Sequence, residues 1–139
     1  MNDPKFLPVY QTPGAANADL VANLGTDDTI VIDPGTVKRV DCGFCMQLPL
    51  GFKAEFSARS GWSSKGLIVA NAPSQIDEDY RGRIVVLLVN VGLDSIVIKN
   101  NDRIAQMWPA PVYKFEWITN EPLEESVRGT GGFGSTGTR

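Results

Sequence analysis

Five short segments carry residue types that could do chemistry. In Ile76-Asp77-Glu78-Asp79-Tyr80-Arg81-Gly82, three consecutive carboxylates precede a tyrosine and an arginine. One carboxylate could orient and deprotonate a water while Tyr80 forms an apolar wall. The same residues also suit an acidic hairpin bend, and metal binding by the cluster is a third option. Arg59-Ser60-Gly61-Trp62 reads either as a strand end with a serine helix cap or as a helix N-terminus offering amides and an arginine to phosphates. The last stretch, Arg128-Gly-Thr-Gly-Gly-Phe-Gly-Ser-Thr-Gly-Thr-Arg139, has five glycines around one aromatic. Successive glycine amides can cradle phosphate oxygens, with Ser135 and Thr136 as hydroxyl donors and Arg128 as a fork of donors. Phe133 offers a flat face for a base, an odd residue for a simple linker. The composition alone also describes a flexible tail. It is not a Walker A loop, since the lysine and the following helix are missing. Asn101-Asp102-Arg103-Ile104-Ala105-Gln106 reads as a turn entering an alternating strand, and Ala16-Asn17-Ala18-Asp19-Leu20 as a turn.

What is missing narrows the chemistry. The chain has no histidine, so a general base must be Asp, Glu, Lys, Tyr or Cys, and Ser-His or Cys-His pairs are excluded. Its two cysteines form Cys42-Gly43-Phe44-Cys45. A redox pair would sit at a helix N-terminus, and a structural zinc site needs four ligands. The flanking residues read as a strand, on which residues three apart face opposite sides. The pair is therefore expected to be structural.

The elements that must position these segments read as β-strands. The expected runs are Asp19–Asn23, Thr29–Ile32, Val37–Leu48, Lys53–Ala58, Leu67–Ala70, Arg83–Asn90, Ser95–Ile98, Arg103–Pro109 and Val112–Trp117, separated by Gly, Pro, Asn and Asp. That spacing belongs to an all-β sandwich or barrel. The apolar run Ile84 to Val89 predicts a strand buried on both faces or at a subunit interface. Ser60–Lys65 has room for a short helix. With 139 residues, 42% of them hydrophobic, the chain is expected to form one domain with a core of its own. A net charge of −3 argues against a nucleic-acid surface but leaves room for a small polyanion held by placed arginines. No run is apolar enough to span a bilayer, and MNDPKFLPVY has no signal-like pattern, so a soluble cytoplasmic protein is expected.

Taken together, the five segments resemble the five motifs of the homotrimeric dUTPase family. Ala16–Ala22 resembles motif 1, Arg59–Gly61 motif 2, Asn71–Gly82 motif 3, Asp102–Gln106 motif 4 and Arg128–Gly137 motif 5. The succession IDEDYRG, DRIAQ and RGTGGFGSTG carries most of the specificity. The resemblance implies a distorted jelly-roll β-barrel over residues 1–127 and a mobile lid over 128–139. It implies a homotrimer whose active sites are shared between subunits, with dUTP as substrate and Mg²⁺ held chiefly by the triphosphate and water, with no direct protein ligand. Asp77 would activate the water that attacks the α-phosphorus. Tyr80 would lie against the deoxyribose, and Asn71, with strand backbone around Ile76, would read uracil. Arg59, Ser60, Gly61 and Gln106 would hold the phosphates. Arg128, Gly134, Ser135 and Thr136 would close over them with Phe133 on the base, and Asp19 would support the site from nearby. Three positions depart from the family pattern: Asn17 and Ser74 stand where glycines are usual, and Trp62 follows Arg-Ser-Gly in place of a small or aliphatic residue. Two other readings compete with this one. A dCTP deaminase, similar in fold, needs a glutamate in the strand after the tyrosine bend, and Arg83–Asn90 has none. A nucleotide-sensing or partner-binding protein on the same fold would keep the motifs without turnover.

Overall fold

The computed structural model describes residues 2–135 and 137. The described residues form nine strands: β1 (Ala18–Val21), β2 (Thr29–Ile32), β3 (Val37–Asp41), β4 (Phe52–Ala58), β5 (Leu67–Val69), β6 (Ser74–Ile76), β7 (Val85–Asn90), β8 (Ile96–Lys99) and β9 (Arg103–Pro111). A 3₁₀ turn at Pro4–Phe6 and one helical turn, α1 (Ser60–Ser63), are the helical elements among the described residues. The strands form three antiparallel sheets, ordered β1-β9-β4-β6, β2-β8 and β3-β7-β5. The expected all-β architecture is observed.

Two-residue alternation explains the packing. On β4, Ala54 and Phe56 turn into the core, while Lys53 and Glu55 turn outward and pair at 2.8 Å. On β8, Ile96 and Ile98 face inward, and Val97 lies outside opposite Val31 of β2. One apolar core joins the sheets, with Leu20, Ile32, Phe44, Phe56, Leu88 and Ile104 among its fully or almost fully buried members. Asn90 is buried with them and satisfied: its amide donates to Ile32 O and Asp94 O, both at 2.8 Å, and accepts from Gly92 N.

Several sequence expectations need correction. The strand expected over Val37–Leu48 ends at Asp41. Cys42 N donates to Ile84 O, and Ile84 N donates to Phe44 O, so three residues, Cys42 to Phe44, span two bonds to one partner where a regular ladder uses one. Gly43 has φ +82°, and a β-carbon there would collide with the Phe6 ring. The cysteines therefore lie outside the strand: Cys42 opens the looped-out segment, and Cys45 follows it with its backbone bonded to the Asn2 side chain. Cys42 is buried and Cys45 half-buried, and both thiols are free. Of the two alternatives for β7, burial on both faces is not met within one chain: Val86 and Leu88 are in the core, while Val85, Leu87 and Val89 are half-covered. Val112–Trp117 forms no strand. Its last ladder-like bond is Val112 N to Gly51 O at 2.8 Å, and beyond it Tyr113, Phe115 and Trp117 are exposed with no strand beside them. The short β6, paired to β4 through Ala54↔Ile76, was not anticipated.

Candidate functional site

The first cleft lies where β1, β4, α1 and β9 meet, with a volume of about 640 Å³. Asp19 is its organising charge. It sits on β1 opposite Gln106 of β9 and is 7% exposed. One carboxylate oxygen pairs with Arg59 Nε at 3.1 Å and the other with Arg103 Nη1 at 3.1 Å. Arg59 Nη1 also donates to Arg103 O at 3.1 Å, and the Trp62 indole N–H reaches the same carbonyl at 2.8 Å. Trp62, one of the departures from the family pattern, thus closes the arginine cluster, and the Lys65 ammonium lies 5.2 Å from its ring centre. Gln106 bonds Ser57 Oγ and Ala58 O. Ser60 and Gly61 also line the cleft. Ser60 is not the helix cap: Arg59 holds the cap position, no side chain caps the helix, and Ser60 is the first helical residue. Its hydroxyl is thereby left out of capping.

The second cleft, about 380 Å³, is bordered by Asn71, Ser74, Ile76, Asp77, Tyr80 and Arg39. Asn71 Nδ2 donates to the Ser74 hydroxyl at 3.1 Å, so the serine in place of the usual glycine holds the amide. Tyr80 OH donates to Arg83 O at 3.0 Å and lies so close to Gly82 that any β-carbon there would strike its ring. The bend is tightened by Tyr80 N to Asp77 O, 3.2 Å, and by Arg81, whose Nη1 donates to Glu78 O at 2.6 Å and Tyr80 O at 2.9 Å. Of the three consecutive acids, Glu78 is engaged by Gly51 N at 2.6 Å. The Asp77 side chain has no hydrogen-bond or ion-pair partner among the described residues. No three His, Cys, Asp or Glu side chains come together to hold a metal among the described residues.

The structure divides the expected site residues. Asp19, Arg59, Ser60, Gly61 and Gln106 share the first cleft; Asn71, Ile76, Asp77 and Tyr80 share the second; no lining residue is common to both. The third group, Arg128, Phe133, Gly134 and Ser135, borders neither cleft. Arg128 Nε turns back on Gly131 O at 3.1 Å, and Phe133 is fully exposed. Thr136 lies outside the described residues. Sequence reasoning gave no role to Arg103, Lys65 or Arg39. Arg103 stands inside DRIAQ and could have been found there; Arg39, on an exposed strand, carries no local signal.

The profile of a family described as dUTPase matches residues 3–137. The chain is 45% identical over 134 residues to the deoxyuridine 5'-triphosphate nucleotidohydrolase of Maricaulis maris, covering 96% of this chain and 88% of that protein. It is 47% identical over 133 residues to that of Desulfitobacterium hafniense, covering 94% and 87%. Among solved structures, it is similar in fold to the Staphylococcus bacteriophage 80alpha dUTPase with dUPNHPP, at TM-score 0.80 and 24% identity, over 94% of this chain and 91% of that one. A mutant dUTPase from phage phi11 of S. aureus, whose structure describes the coordination of a structural Mg(II) ion, matches at TM-score 0.74 and 19% identity over 86% and 92%.

Proposed function

The chain belongs to the dUTPase family, and from that premise we propose that it hydrolyses dUTP to dUMP and diphosphate with Asp77 as the base. The observation that carries the assignment of the base is the free carboxylate of Asp77, at the edge of a cleft that also holds Asn71 and Tyr80. Asp77 orients a water and accepts its proton on a carboxylate oxygen. The water oxygen bonds to the α-phosphorus as the bridge to the β-phosphate breaks, and diphosphate departs in line. Asn71 and the backbone near Ile76 read the uracil edge. Tyr80, fixed by its bond to Arg83 O, closes the space that a 2′-hydroxyl or a 5-methyl group would need.

Arg59, Ser60, Gly61 and Gln106 hold the phosphates in the first cleft, and Asp19 keeps Arg59 in place through their ion pair. Arg128, Gly134, Ser135 and Thr136 close over the triphosphate, with Phe133 stacked on the base, and shut out bulk water. The separation of base cleft and phosphate cleft on one chain supports an assembly in which complete sites draw on more than one subunit, as a homotrimer does. Magnesium fits this reading as an ion carried by the substrate. Phosphate oxygens and water would be its donors, and Asp19, with both carboxylate oxygens held by arginines, would support the site from nearby. When bound, the ion neutralises phosphate charge. Diphosphate release measured with dUTP, dTTP, UTP and dCTP tests the proposal. dUTP should be strongly preferred, and equal turnover of dTTP would sink it.

A further inference from the structure

The Asp77 bend is not held by its own turn alone. The Glu78 carboxylate accepts from Gly51 N at 2.6 Å across 27 residues of sequence. Gly51 sits at φ +77° in the turn before β4, and its carbonyl accepts from Val112 N at 2.8 Å. Val112 immediately follows β9 and is the last residue before the exposed arm that leads to Arg128 and Phe133. One peptide turn thus binds the acidic bend on its N–H side and the root of the arm on its carbonyl side. A further cleft, bordered by Gly51, Lys53, Asp77, Glu78, Val112 and Lys114, lies at the same junction. The Glu78 backbone is gripped as well, by Arg81 on its carbonyl oxygen.

We propose that Glu78 is a positioning residue: through Gly51 it ties the bend carrying Asp77 to the root of the C-terminal arm, and so sets the aspartate for water attack. This rests on the reading of Asp77 as the base. A hydrogen bond to an ionised acceptor is among the stronger ones, and misplacing a reacting group by about 1 Å costs on the order of 100-fold in rate. Losing one anchor of several should cost less.

The test compares Glu78→Ala and Glu78→Gln with the unaltered protein. Glu78→Ala should lower kcat for dUTP about tenfold and raise KM by less, because the bend, which also carries Tyr80, moves while the phosphate cleft is untouched. Glu78→Gln keeps an acceptor oxygen and should recover most of kcat. Val112→Pro, which removes the donor to Gly51 O, should lower kcat in the same direction. Amide hydrogen exchange gives a readout free of turnover: Glu78→Ala should speed exchange at Gly51 and over residues 76–83, and leave residues 103–107 unchanged. Unchanged kcat and unchanged exchange in Glu78→Ala would overturn the proposal. So would a Glu78→Gln loss as large as that of alanine, which would assign the role to charge. If the unaltered protein releases no diphosphate from dUTP, the proposed function falls, and the exchange result alone decides whether Glu78 anchors the bend. Should Glu78→Ala fail to fold, Glu78→Asp, shorter by one methylene, takes its place in both measurements.

Discussion

Replacing Asp19 by alanine should cost the protein both stability and phosphate grip. Asp19 is 7% exposed and touches two guanidinium groups, each at 3.1 Å. At that distance one pair is worth about 5 kcal/mol at an effective dielectric near 20 and about 1.3 kcal/mol in bulk water. Desolvating the carboxylate offsets much of the larger figure. The arginine side chains are 30% and 44% exposed, so water softens the loss when the carboxylate goes. Removing one partner of a fully buried pair costs about 3–5 kcal/mol; the exposure here reduces that to about 2–3 kcal/mol. Urea unfolding at fixed protein concentration should show it as a midpoint lowered by about 1 M or more. Asp19→Asn should keep most of the loss, because its amide turns N–H groups toward one arginine. In the dUTP assay KM should rise about tenfold as Arg59 loses its hold. A destabilisation below about 0.5 kcal/mol with normal KM would refute the view that Asp19 organises this cleft.

Other perturbations give separate tests. Asp77→Asn keeps the shape but removes the base; turnover should fall about 10²–10⁴-fold while binding of a non-hydrolysable dUTP analogue, measured by calorimetry, is retained. Burial and the nearby Asp41 charge push the Cys42 thiol from about 9.0 up to about 12. The folded state therefore keeps a proton that the unfolded chain releases, so this stability is complete below about pH 9 and fades as pH rises toward 12. Cys42→Ala should flatten that decline in pH-dependent unfolding, and in the native protein iodoacetamide at pH 8 should modify Cys45 and spare Cys42, as followed by mass spectrometry. Deleting residues 129–139 should leave a folded, inactive protein. Co-expressed with Asp77→Asn on differently tagged chains, it should regain partial activity in purified mixed assemblies; no recovery there would refute a site shared between chains.

The sequence made the site chemistry more legible than the strand ends. IDEDYRG, DRIAQ and the glycine-rich tail could be read because their residue types are unusual together. Strand β6 escaped because Ser74-Gln75-Ile76 has little β character of its own, and its pairing depends on β4, some 20 residues away. Val112–Trp117 misled in the opposite way: its alternation of aromatics suits a strand, but the described residues supply no neighbour to pair with it. At Gly43 one left-handed residue ended a strand that hydrophobicity alone would have continued to Leu48. The role of Trp62 could not be read at all, since it is decided by the Arg103 carbonyl, 41 residues away.

The division of the expected site residues between two clefts on each chain has a kinetic consequence. Under the proposed assembly, a solitary chain holds a base without phosphate grips and phosphate grips without a base. Specific activity should then depend on enzyme concentration, falling on dilution as subunits separate and recovering with a lag on reconcentration. A poisoned chain would spread its defect to sites it only partly builds. A small fraction of such chains would therefore silence more catalytic centres than their number suggests.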